Sequence, residues 1–113
     1  MIWFNVREAY DYLMAHSEVF SVRSHKKKNE GKMMLLSTLE GKPHYKGIVD
    51  VTFCKEINLE NPISKSMLFN YVRKSGFKTV EQWLMKASKA KVLYLYHVKL
   101  LHGLRLVPRD ECI

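Results

Sequence analysis

The chain has 113 residues, 47% of them hydrophobic and 27% charged, with 19 Lys and Arg against 11 Asp and Glu for a net charge of +8. That length makes one domain with one core, and the apolar share excludes a disordered chain. No apolar run reaches the roughly 18 residues of a membrane span, and Met1–Asn5 has neither the charged start nor the long apolar run of a secretory leader.

In chain order, Ile2–Phe4 reads as a short strand. Asn5 is placed to cap a helix, with Glu8 three residues on in a capping-box arrangement. Val6, Ala9, Tyr10, Leu13 and Met14 fall on one helical face, and His16-Ser17 ends it. Val19–Ser24 is a strand with Phe20 and Val22 on one face and Ser21 and Arg23 on the other. His25–Lys32 reads as a polar loop, Met33–Leu39 as a mostly apolar strand buried on both faces or nearly so, and Glu40–Pro43 as a turn. Tyr45–Lys55 is the clearest strand, Val49, Val51 and Phe53 alternating with Asp50, Thr52 and Cys54. Asn61-Pro62 starts a helix whose stripe is Met67, Leu68, Tyr71 and Val72 and whose end is Ser75-Gly76. Thr79 and Gln82 form a second capping box, ahead of a stripe of Val80, Trp83, Leu84 and Ala87. In Val92–Leu101, the residues Val92, Tyr94, Tyr96, Val98 and Leu100 share a face, and Leu104–Val107 offers a short further strand. The order β-α-β-β-β-α-α-β predicts a single α+β domain over residues 1–113: a small, mixed, largely antiparallel β-barrel with flanking helices.

Three segments resemble the ASCH domain of the PUA-like superfamily. The first is the helix running straight into Ser21-Val22-Arg23. The second is Ser75-Gly76-Phe77-Lys78-Thr79-Val80-Glu81-Gln82-Trp83-Leu84, similar to the family's glycine-then-helix region, and the third is the closing strand Tyr94–Leu100. The resemblance covers roughly residues 1–101. It implies a small β-barrel that binds RNA or nucleotides. Members show a Gly-x-x-Lys-x-x-Glu/Thr-x-Arg pattern, in which Ser21 and Arg23 take the last two fixed places, Ala15 replaces the glycine and Glu18 replaces the lysine. Some members resemble amide hydrolases. For that activity Ser21 supplies a hydroxyl and Glu81 an acid, but a carboxylate at position 18 cannot act as the amine.

The charge lies in two blocks. Residues 23–46 hold Arg23, Lys26, Lys27, Lys28, Lys32, Lys42 and Lys46 against Glu30 and Glu40, a net of +5. Residues 82–109 hold Lys86, Lys89, Lys91, Lys99, Arg105 and Arg109 and no acid, a net of +6. Such blocks suit a polyanion, RNA first and DNA second, with no membrane involved. The candidate interface is Arg23, Ser24, His25, Lys26, Lys27, Lys28 and Lys32, with Lys46 and the exposed aromatic Tyr45 extending it. Phe20, Trp83, Tyr94 and Tyr96 are aromatics accounted for by the core stripes. A second reading takes residues 62–74 and 79–90 as a helix-turn-helix that shows Glu81, Gln82, Lys86 and Lys89 to DNA. A third is a protein-interaction module. His16, His25, His44, His97 and His102 lack metal-ligand spacing, and no phosphate-binding loop is present, so no metal and no cofactor are expected. Cys54 and Cys112 fit a reducing, cytoplasmic setting better than a disulfide scaffold.

Overall fold

The computed structural model describes residues 1–87 and 90–103. The elements are β1 (Ile2–Trp3), α1 (Arg7–His16), β2 (Glu18–Arg23), β3 (Gly31–Ser37), β4 (His44–Asn58), α2 (Pro62–Ser66), two 3₁₀ turns (Met67–Asn70 and Val72–Lys74), α3 (Val80–Lys86) and β5 (Val92–Gly103). The strand expected at Leu104–Val107 lies outside the described residues. Among those described, no helix is long and apolar enough to cross a membrane.

The five strands form one sheet in the order β1-β3-β4-β5-β2. β1 runs parallel to β3, and the other pairings are antiparallel. The chain is thus a mixed α+β domain, as its element order predicts. Register shifts at Leu35/Leu36 and, in β4, at Ile48/Val49 and Phe53/Lys55 bend the sheet and raise its twist. It curls into a half-barrel whose edge strands, β1 and β2, line one cleft. Arg23 spans that seam, its Nη1 donating to the Trp3 carbonyl at 2.7 Å.

Period-two alternation sorts the core. Val19, Val49, Val51, Tyr96 and Val98 fill the inside of the curl with Ile2, Phe4 and Leu35, and Ala9 and Leu13 of α1 plug its open side. On the outer face, Ile57, Leu93 and Leu95 lie under Leu68, Val72, Val80 and Trp83. β5 is therefore covered on both faces. Each fully buried Leu or Val contributes about 1.5–3 kcal/mol, so β5 contributes to both core clusters.

Three local expectations fail for identifiable reasons. Asn5 does not cap α1. The N-cap is Val6, without a side-chain bond, while Asn5 Oδ1 accepts from Thr38 N–H at 2.8 Å and from Thr38 Oγ1 at 2.9 Å. Pairing of β1 with β3 causes this, because the Phe4 N–H bonded to Leu36 O brings the next residue beside Thr38. Second, the helix expected over 62–74 is one α-turn followed by two 3₁₀ turns. Phe69, Asn70, Tyr71 and Val72 are all weak helix formers, and burial of Leu68 and Val72 on the sheet decides their path. Third, β3 is not buried on both faces, since Met34 is 44% exposed.

Two junctions behave as turn chemistry demands. Ser17 takes a left-handed φ of 64° and returns its N–H to Leu13 O, so α1 passes into β2 with no linker. Thr79 caps α3 by accepting from Gln82 N–H at 3.1 Å, and Gln82 Oε1 reaches back to Lys78 N–H at 3.4 Å, one residue earlier than in a capping box. Between the 3₁₀ turns and α3, Gly76 has φ +90° and lies directly against the first turn of α1.

Candidate functional site

Residues two apart on a strand share a face, so Val19, Ser21 and Arg23 all look into the half-barrel. Arg23 Nε donates to Ser21 Oγ at 3.0 Å, and its guanidinium carbon stands 4.7 Å from the centroid of the Phe4 ring. With the bond to Trp3, two of its five N–H groups are engaged. Among the described residues no carboxylate pairs with it. Burial pushes Arg23 down to about 10, against the pull of nearby Tyr96, so the group stays charged at neutral pH. A desolvated cation without a counter-ion is a physical marker of a binding site.

Two hollows meet at this residue. One, of about 210 Å³, lies between β2, the β1–α1 junction and α3, and its lining includes Trp3, Phe4, Ser21, Arg23, Ser24, Phe77, Trp83 and Lys86. The other, of about 260 Å³, is lined by Ile2, Trp3, Arg23, Ser24, His25, Lys26 and Lys27. Trp3, Arg23 and Ser24 belong to both, so the hollows form one cleft along the barrel seam. Among the described residues no Asp or Glu lines either part.

The basic loop is tied down rather than free. Lys27 N–H donates to the Tyr96 hydroxyl at 2.6 Å, and Lys27 Nζ donates to the Met1 carbonyl at 2.9 Å. Lys26 Nζ stands 4.7 Å from the centroid of the Phe53 ring, and Glu30 Oε1 accepts from Phe53 N–H at 2.5 Å. Burial, and secondarily the charge of Arg23, holds the Lys27 ammonium below its ordinary pKa. His25, Lys26, Lys28 and Lys32 are exposed, Lys32 on β3 opposite Asp50.

The second basic block reaches this cleft through Lys86 at the end of α3. Lys99 does not line it, being exposed on β5 opposite Glu18 and Asp50. Lys91 pairs with Glu60 at 3.6 Å. Lys89, Arg105 and Arg109 lie outside the described residues.

Tyr45 is 39% exposed. It stands two strands from Trp3 in one cross-strand row, Trp3–Leu36–Tyr45, roughly 10 Å away at ordinary strand spacing. Lys46 is held by Glu40 Oε1 at 2.9 Å, a bond that raises its pKa and lowers that of Glu40. Neither residue lines the cleft. Ser21 is 7% exposed and its hydroxyl accepts from Arg23, whereas Glu81 is exposed in the first turn of α3 and is not among the cleft residues. The pair that a hydrolase would use is not gathered in this cleft. The supposed helix-turn-helix lacks a continuous first helix, and α3 turns Val80 and Trp83 inward. Among the described residues no group of three or more His, Cys, Asp or Glu side chains is placed to hold a metal ion.

Trp3 is the cleft residue that the sequence reading leaves unmarked. Its importance comes from β1 being an edge strand, which depends on pairing with Leu35 and Leu36 far along the chain. Its only local signal is an aromatic in a very short strand. No family model, no curated protein and no solved structure matches the chain.

Proposed function

We propose that the chain is a nucleic-acid-binding module of the PUA-like kind that ASCH domains exemplify, holding RNA in preference to DNA through backbone phosphates. The observation that carries this reading is the cleft at the seam, where Arg23 and Lys27 of one basic block and Lys86 of the other line a continuous surface with no acid among the described residues. Cations at both walls neutralise phosphates and release counterions, which gives affinity without sequence specificity. Trp3, half-buried between the two hollows, offers a ring for a base to stack on, and Tyr45 extends the aromatic row outward. The preference for RNA rests on the family resemblance.

The test is fluorescence anisotropy with labelled single-stranded RNA and DNA of one sequence over a range of salt. Binding should weaken as salt rises, with a slope in log K against log salt of about −0.7 for each phosphate neutralised on a single strand. The triple variant K26A/K27A/K28A should flatten the slope by roughly 2 and weaken binding at low salt by about tenfold or more. No binding at low salt, or an unaltered triple variant, overturns the reading.

A further inference from the structure

Tyr96 belongs to the inner face of β5 and is fully buried, at 0% exposure, among the apolar residues of the half-barrel. A core position of this kind would suit phenylalanine, apart from one atom. The Tyr96 hydroxyl reaches out of the core and accepts the N–H of Lys27, at 2.6 Å. That is the backbone of the basic loop, 69 residues away in sequence. Phe53, whose ring centroid is 5.5 Å from that of Tyr96, carries Lys26 on its ring and donates its N–H to Glu30 at the loop's far end. The core therefore reaches the loop at three successive places.

A run of Lys-Lys-Lys followed by Asn would otherwise sample many conformations, and a ligand would have to order each residue at a cost in backbone entropy. Fixing the loop beforehand removes that cost from binding. We propose that Tyr96 is a positioning residue: its hydroxyl holds the Arg23–Lys28 segment in the form that meets an anionic strand. This rests on the nucleic-acid reading of the same site. Tyr96 touches no ligand, and it sets affinity by holding Lys27.

The experiment compares wild type with Tyr96→Phe, which keeps the ring and removes only the oxygen, and reads two quantities. Amide hydrogen exchange by NMR should show Lys27 N–H exchanging at least about tenfold faster in the variant, while amides of the core strands keep their protection. RNA affinity should fall about 3- to 10-fold, the ratio that one net hydrogen bond represents, with the salt slope unchanged. A residue that contacted phosphate would reduce the slope, and a residue that only supported the core would lower protection throughout β4 and β5. Lys28→Ala serves as the contrast, since it removes an exposed charge of the same loop and should flatten the slope while leaving the exchange rate of the Lys27 amide near wild type. Unchanged exchange at Lys27 in Tyr96→Phe overturns the proposal, as does faster exchange with undiminished affinity. A wild-type chain that binds no oligonucleotide overturns the nucleic-acid reading instead, and the exchange result still reports whether Tyr96 holds the loop.

Discussion

Gly76→Ala will lower stability by about 3 kcal/mol, combining backbone strain with overpacking. The position has φ +90°, where an L-residue is strained. A Cβ there would also stand 2.7 Å from the carbonyl carbon of Glu8 and 3.2 Å from Ala9 Cα, with the Glu8 carbonyl oxygen nearer still. Both neighbours are helix backbone, which cannot swing aside as a flexible side chain does. The first turn of α1 must move, and with it Ala9 and Leu13 of the core. Gly41→Ala is the control, because Gly41 has φ +92° but nothing within 4 Å of the added carbon. It should cost only the strain, about 1 kcal/mol. Urea unfolding monitored by tryptophan fluorescence measures both. At the usual m-values of small domains, the Gly76 variant should lose roughly 1.5–2 M in midpoint. Equal losses in the two variants would show that the contact with α1 does not constrain the fold.

Arg23→Met should have the largest effect on binding and little on stability. The substitution keeps a long apolar stem over Phe4 and removes the charge. Loss of the two hydrogen bonds leaves the Ser21 hydroxyl and the Trp3 carbonyl without this donor. That loss is offset, because the folded protein no longer holds a desolvated cation. The sign follows from the pKa. Burial depresses it to about 10 in the folded state, so the unfolded chain binds this proton more tightly. The group therefore costs stability throughout the range below about pH 10, and the cost is relieved only as pH rises from there towards the ordinary arginine value. Removing the charge should leave the unfolding free energy within about 1 kcal/mol of wild type or raise it, while RNA affinity falls tenfold or more. Strong destabilisation with binding retained would make Arg23 a structural strut and not a ligand-binding group.

Much of this architecture is legible in local pattern. The alternation in Val92–Leu101 assigns Val92, Tyr94, Tyr96, Val98 and Leu100 to one face, and the last four of these side chains line the inside of the curl. Thr79 caps α3 as its spacing predicts. What is not legible depends on strands meeting far apart in the chain. Asn5 looks like a helix cap until β1 pairs with β3 and carries it to Thr38. His25–Lys32 looks like a solvated loop until the Tyr96 hydroxyl and the Met1 carbonyl take hold of Lys27. Lys46 looks like part of the basic surface until Glu40 is found beside it. The cleft itself has no local signature, since it exists only where the two sheet edges approach, and Lys86 acquires a place in it from the packing of α3 on the outer face.

The central claim is that two basic segments converge on the seam and that their convergence, not total charge, sets affinity. Lys86→Ala and Lys99→Ala remove the same charge from the same block, yet only Lys86 lines the cleft. The decisive measurement is the salt dependence of RNA binding for wild type and these two variants. The slope should flatten by about 0.7 for Lys86→Ala and stay at the wild-type value for Lys99→Ala. Equal slopes in the two variants would contradict it, for binding would then follow net charge and not the cleft.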